Sequence, residues 1–253
     1  MRIAAIADVH GNRWALEAVL ADVERRGIEI VVDLGDTVYG PLDPAGTADL
    51  LMRTGAAGVS GNEDRIVVAP ARDDDSRTLR YTRSALRPEH LGWLAGLPAA
   101  RVAAGALLCC HGTPARDDEY LLETVTDAGA APRPVPAVAA LVTAVGQPVV
   151  ICGHSHLART VRLPDGRLVV NPGSVGLQAY ADDAPRPHAM EAGSPHARYA
   201  VLEWTPAGWR VEPVAVAYDF EAAARAAARN GRPDWAAWIR TGRASGRRPW
   251  EGT

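Results

Sequence analysis

Ile3-Ala4-Ala5-Ile6-Ala7-Asp8-Val9-His10-Gly11-Asn12 and Ile30-Val31-Val32-Asp33-Leu34-Gly35-Asp36 decide the fold class. Each is a short apolar run that stops at a side chain able to bind a metal. Such runs, bounded by turn residues, read as buried strands. Between them, from Trp14 to Arg26, Leu16, Val19, Leu20 and Val23 recur at helical spacing, and Gly27 supplies a stop. Strand, helix and strand in that order form a βαβ unit, whose two strands run parallel. The class is therefore α/β.

Three further runs repeat the pattern. Ala56-Ala57-Gly58-Val59-Ser60 leads into Gly61-Asn62, Ala106-Leu107-Leu108-Cys109-Cys110 into His111-Gly112, and Val149-Val150-Ile151-Cys152 into Gly153-His154-Ser155-His156. Ligands of open α/β sheets gather outside the carboxyl ends of strands. Asp8, His10, Asp36, Asn62, His111, His154 and His156 should therefore converge on one edge. Seven oxygen and nitrogen donors suit two divalent cations rather than one, which points to metal-assisted hydrolysis. The competing reading of Asp8 and Asp36 is helix N-capping. It does not explain why four of the seven histidines stand at strand ends.

The remaining elements follow outward. Asp43 and Pro44 open a second helix through Arg53. Residues 69–98 turn helical and polar, with helices from Ser76 to Leu86 and from Pro88 to Leu94, and are expected to form a flap beside the site. Arg101 to Cys110 reads as two strands turned at Gly105. Ala130 to Pro136 is expected to be a Pro-rich loop before a helix over 138–145. Pro164-Asp165-Gly166 marks a hairpin between Ala158–Leu163 and Arg167–Val170. Arg198–Trp204 and Trp209–Val216 form a second meander. Ala181 to Pro195, rich in Pro, Asp and Gly, is expected to be a long mobile loop and a candidate lid. Phe220–Asn230 and Trp235–Arg240 are C-terminal helices, and a tail over 243–253 is expected to fray.

Composition narrows the class. The 253 residues contain no linker that divides them, so one domain over 1–253 is expected. A net charge of −3 gives no global basic footprint for long nucleic acid. Every basic side chain is Arg; the absence of Lys excludes a lysine nucleophile or Schiff base. Cys109, Cys110 and Cys152 lie inside apolar runs and read as small core residues in a reducing, cytoplasmic setting. The first apolar run is broken by Asp8 and His10 and reads as a strand, not a signal peptide. No run is long enough to span a membrane.

Asp8-Val9-His10, Gly35-Asp36, Gly61-Asn62, His111-Gly112 and Gly153-His154-Ser155-His156 stand in the order found in the calcineurin-like metallophosphoesterases, which the chain resembles. Asp8 to Asn12, Tyr39-Gly40-Pro41, Asn171-Pro172-Gly173-Ser174-Val175-Gly176 and Tyr218-Asp219 are similar to the small bacterial and archaeal phosphodiesterase branch. The resemblance implies a four-layer αββα sandwich of two mixed sheets flanked by helices. It implies that Asp8, His10, Asp36 and His156 hold one metal, that Asn62, His111 and His154 hold a second, and that Asp36 bridges. Two adjacent cations activate a water and clamp phosphoryl oxygens for in-line attack. Mn²⁺ is the expected ion, although Fe, Co, Ni and Zn suit the same donors.

One position departs from the family's pattern. A His that helps protonate the leaving group often follows the Asn; here Glu63-Asp64 follow Asn62. Glu63 serves as the acid, or the substrate has a good leaving group, or catalysis is poor. Asp36, Glu63, Asp64 and His111 are the candidate catalytic residues. Asn12, Arg13, Asn62 and Arg116 are candidates for substrate contact, with Arg159 a further phosphate clamp. Capping competes for Asn12, and a solvated surface competes for each arginine. Asn171 and Ser174 should shape a turn near the site. His90, His188 and His196 are expected to be exposed, Trp235 and Trp238 to pack, and Arg247-Arg248 to be solvated.

The favoured function is a phosphodiesterase or pyrophosphohydrolase acting on a small nucleotide. A phosphomonoesterase or phosphoprotein phosphatase is the rival within the class. A non-catalytic metal-binding scaffold is the rival outside it, and a nuclease is disfavoured by the acidic balance.

Overall fold

The computed structural model describes residues 1–244. Arg247-Arg248 and most of the expected frayed tail lie outside the described residues. Two five-stranded mixed sheets form the centre. The first has the order β14-β13-β1-β2-β3, with β1 at Arg2–Ile6, β2 at Ile30–Asp33, β3 at Ala57–Gly58, β13 at Ala197–Thr205 and β14 at Gly208–Val216. The second has the order β4-β5-β8-β10-β9, with β4 at Ala100–Ala103, β5 at Leu107–Cys110, β8 at Val149–Ile151, β9 at Arg159–Arg162 and β10 at Leu168–Asn171. In each sheet three parallel strands (β1-β2-β3 and β5-β8-β10) carry antiparallel neighbours.

Alternation along the strands builds the layers. Ile3, Ala5 and Leu202 of the first sheet pack inward against Leu107, Cys109, Ile151 and Val170 of the second. Ala4, Ile6 and Tyr199 face outward onto α1 (Arg13–Arg25) and α2 (Pro44–Thr54) through Leu16, Val19, Val23 and Leu51. On the far side Cys110, Val150, Cys152 and Val169 meet Val138 of α6 (Val135–Leu141). The result is the expected αββα sandwich, and the three cysteines are free and buried within it.

Several expectations are corrected. Residues 69–98 hold the two expected helices, and these pack with a third element on the body. α3 (Asn62–Val68), α4 (Arg77–Ala85) and α5 (Pro88–Ala95) form their own cluster, in which Val67, Leu79 and Leu94 bury against Val38 and Ala48. The Pro-rich stretch opens inside β7 (Gly129–Pro132), which pairs with β6 (Glu123–Thr126) before it, and α6 starts earlier than expected because Pro136 fits its first turn. Residues 181–195 are not one long loop. β11 (Ala179–Asp182) pairs with β12 (His188–Glu191), and alternation buries His188 and Met190. The Pro, Asp and Gly content hid this period of two. The hairpin packs against α7 (Phe220–Arg229) and α8 (Pro233–Thr241) through Leu177, Ala179, Trp235 and Ile239. His90 is buried too: its Nδ1 accepts the Arg87 N–H at the start of α5, and its Nε2 lies 3.0 Å from Asp49. His196 is exposed, as expected.

Candidate metal centre

All five motifs follow the carboxyl ends of parallel strands: Asp8 and His10 follow β1, Asp36 follows β2, Asn62 follows β3, His111 follows β5, and His154 and His156 follow β8. Backbone hydrogen bonds lace these ends together. The Asp8 N–H donates to Gly35 O at 3.0 Å, that of His10 to Asp36 O at 2.9 Å, and that of Gly153 to His111 O at 2.7 Å. Asp8, His10, Asp36, His154 and His156 all take positive φ, between 52° and 68°. Side chains rarely adopt that region, and strain of this kind collects where function over-determines the backbone. Gly61 permits a close approach, since a Cβ there would lie 2.1 Å from Asp36 Oδ1.

The donors gather into overlapping groups: Asp8, His10 and His156; Asp36, His111 and His154; and His10, Asp36 and Glu63, with ligand atoms in each group within 4.8 Å of one another. His10 Nε2 and His156 Nε2 are 3.0 Å apart, His156 Nε2 is 3.6 Å from Asp8 Oδ1, and His111 Nε2 is 3.2 Å from Asp36 Oδ2. Asp36 Oδ1 accepts the Glu63 N–H at 2.9 Å, which leaves Oδ2 to face the other donors.

An outer layer aims the rings. The Nδ1 atoms of His10, His111 and His156 sit 3.0, 2.7 and 2.6 Å from the carbonyls of Tyr39, Leu34 and Leu177. When Nδ1–H donates to a carbonyl, the Nε2 lone pair points inward, which is the arrangement of metal-ligating histidines. Ser174 Oγ donates to Asp8 O at 2.8 Å, and Asn171 Nδ2 to Gly153 O at 2.7 Å, so both shape the loops as expected.

These residues fit a pair of divalent cations. Asp8 Oδ2 and Asn62 Oδ1 are buried with no hydrogen-bond partner, and the Nε2 atoms of His10 and His156 converge. Mixed carboxylate, amide and imidazole donors suit borderline transition ions. Titration behaviour reflects the crowding. Burial pushes Asp8 up to about 7. Burial opposes charge on His10 and His111, but Glu63 beside the first and Asp36 beside the second outweigh it, so the rings are held up at about 9 and about 10. Burial and the His111 charge drive His154 down to about 4. Burial also acts to raise Asp36, yet His111, His10 and His154 keep it below the usual carboxylate range.

The other expected site residues divide. Glu63 faces the centre, with Oε2 3.2 Å from His10 Nδ1 and burial raising its carboxyl to about 7. Asp64 is corrected: it lies fully buried beneath the site, where it accepts the N–H groups of Asp36, Thr37 and Gly61. Asn12 is buried and committed to the fold; its Oδ1 caps α1 at Ala15 and its Nδ2 donates to Gly176 O. Arg13 pairs with Glu17 and Asp43 and lines neither hollow at the donors. Arg159 pairs with Glu123, and Arg116 with Asp118.

Two hollows open on the donors. One, of about 190 Å³, is walled by Tyr39, Tyr180, Trp235, Trp238 and Arg232. The other, of about 480 Å³, lies toward Tyr120, Arg116 and Arg133. A larger groove of about 590 Å³ around Trp209 is lined by none of the candidate ligands. Trp235 packs as expected, yet its ring also meets His10 edge-on at 5.7 Å. Tyr120 and Tyr180 were not foreseen. Tyr120 stacks on His154 at 4.6 Å, the Tyr180 hydroxyl lies 3.0 Å from His154 O and 2.8 Å from the Tyr120 hydroxyl, and His188 Nε2 lies 2.9 Å from that Tyr120 hydroxyl. Tyr120 and Tyr180 lie outside every motif, and of the three only His188 carried a hint, in the β12 alternation.

The chain is similar to known proteins over most of its length. Residues 1–189 match the calcineurin-like phosphoesterase superfamily domain. The chain is 26% identical over 246 residues to an uncharacterized protein of Methanocaldococcus jannaschii, covering 92% of this chain and 94% of that one. It is similar to the crystal structure of a metallophosphoesterase from Sphaerobacter thermophilus, with a TM-score of 0.75, 27% identity, and coverage of 96% of this chain and 100% of that one. A hypothetical protein from Pyrococcus horikoshii shares the fold at a TM-score of 0.73 and 19% identity, over 96% of this chain and 98% of that one. Among the described residues no helix is long and apolar enough to cross a membrane. The chain belongs to the calcineurin-like phosphoesterase superfamily and is a hydrolytic phosphoesterase.

Proposed function

We propose that the protein hydrolyses a phosphodiester or pyrophosphate bond in a small nucleotide. One observation carries this reading: the two hollows share Asn62, His154 and, at the rim, Asp182, so the donors stand between two berths. A phosphoryl group held there has room for a substituent on each side. A monoester would use one berth and leave the other without a role. The aromatic wall of Tyr39, Tyr180 and Trp235, with Arg232 beside it, suits a base-bearing arm.

In this reading Asp8, His10 and His156 would hold one cation, Asn62, His111 and His154 would hold the other, and Asp36 would serve both. Mn²⁺ is the ion we favour, in a cytoplasmic setting. When bound, the two cations supply an activated water and a clamp for phosphoryl oxygens. The chain's own groups orient the ester. The α3 N-terminus fixes Asp36 through the Glu63 N–H, and the Asn62 amide faces both berths. The Glu63 carboxyl is placed to deliver a proton to the departing oxygen.

The test is hydrolysis of bis-nitrophenyl phosphate beside the mono-ester, by metal-stripped protein, after Mn²⁺ addition, and by Asp36→Asn. Metal-dependent diester cleavage that the substitution abolishes is expected. A strong mono-ester preference would overturn the diester reading.

A further inference from the structure

The larger of the two berths differs in chemistry from the aromatic one, and that difference narrows the substrate. Its wall carries two guanidinium groups, Arg116 and Arg133, and four carboxylates, Asp118, Glu119, Glu123 and Asp182. Both guanidinium groups have partners on the wall, although Arg133 Nε is buried without one, a donor that a hydroxyl oxygen can satisfy. Arg116 Nε lies 3.0 Å from Asp118, and an Arg133 terminal nitrogen lies 3.7 Å from Glu119 and donates to Tyr120 O at 2.8 Å. Glu123 is 1% exposed. Arg159, arriving from β9, pairs with its Oε1 at 3.1 Å, yet both carboxyl oxygens are buried without a hydrogen-bond partner. A buried acceptor of that kind calls for a donor.

We infer that this berth takes an uncharged, hydroxyl-bearing ester arm, such as the sugar of a nucleoside, and not a second phosphate. The inference rests on the two-armed reading above and chooses within it: the bond cleaved is a phosphodiester whose second arm is an alcohol, not a pyrophosphate. Sugar hydroxyls donate to Glu123 and Asp182. A second phosphate would enter a wall with more carboxylates than guanidinium groups, where like charges repel. The site is therefore asymmetric, with an aromatic berth on the Trp235 side and a hydroxyl-accepting berth on the Glu123 side.

The experiment uses the full chain loaded with Mn²⁺. It compares kcat/KM for a dinucleoside monophosphate with that for a dinucleoside pyrophosphate carrying the same two nucleosides. Wild type is set against Glu119→Gln/Asp182→Lys, whose positions are half-buried and exposed. The monophosphate diester should be preferred about tenfold or more, and the double substitution should shrink that ratio several-fold by relieving the pyrophosphate arm. Cleavage of both with the pyrophosphate equal or better, or a ratio the substitutions leave untouched, overturns this inference alone. A nitrophenyl mono-ester run alongside separates that from failure of the two-armed reading, which would show as mono-ester preference over both.

Discussion

Asp64 grips the backbone of Asp36. Its Oδ2 accepts the Asp36 N–H at 2.8 Å and the Gly61 N–H at 3.0 Å, and its Oδ1 accepts the Thr37 N–H at 2.9 Å and the Thr37 hydroxyl at 2.7 Å. Asp36 sits at φ 54°, a conformation its own side chain does not favour. The buried carboxylate thus fixes the loop that presents the central ligand and ties the β2 end to the start of α3. Asp64→Ala would leave several buried N–H groups unpaired and should cost about 3 kcal/mol of stability, from the penalty for orphaned donors. Mn²⁺ affinity should fall with it. Denaturant unfolding and metal titration check both, and Asp64→Asn, which keeps one acceptor oxygen, should be milder. Unchanged metal affinity in a folded Asp64→Ala protein would remove the positioning role.

Glu63 answers a different question, because its carboxylate faces the centre where Asp64 does not. If it protonates the departing oxygen, Glu63→Gln should slow hydrolysis of an alkyl phosphodiester by about a hundredfold, the lower range for general acid catalysis. A nitrophenyl ester, whose leaving group needs no proton, should lose much less. Steady-state rates on the two esters decide it. Equal losses would instead fit a metal-ligand role, which its grouping with His10 and Asp36 also permits.

The contrast between these neighbours shows what the sequence could carry. Asp8, His10, Asp36, His111, His154 and His156 were legible because each follows a strand whose apolar run marks its end, and parallel strands place those ends on one edge. Asn62, Glu63 and Asp64 open a helix instead, where each residue turns about 100° from the last. Adjacent side chains therefore face different ways, and sequence order could not say which acid entered the site. The β11–β12 hairpin was hidden for another reason. Its turn-forming composition masked the alternation that buries His188 and Met190. Tyr120, Tyr180 and Arg232 reach the donors by tertiary packing alone, and no local pattern announces them.

The protons held among the donors give a last expectation. His10 and His111, held up at about 9 and about 10, both carry a proton at neutral pH, and Asp8 at about 7 carries part of another. Cations bind the deprotonated forms, so loading must expel these protons. Mn²⁺ affinity should then rise with pH, with about two protons released near pH 7 and fewer as pH climbs through 9 to 10. The sign for folding is opposite in metal-stripped protein. Both imidazoles have raised values, so their protonation stabilises the fold fully below the ordinary histidine range, and that contribution is lost as pH rises through 9 to 10. The stripped protein's Tm should therefore drop across that window while the Mn²⁺-loaded protein's should not. Calorimetric titration in two buffers of different ionisation enthalpy counts the protons, and thermal unfolding with and without Mn²⁺ reads the rest. Loading that releases no protons at pH 7 would show that these histidines are not the ligands.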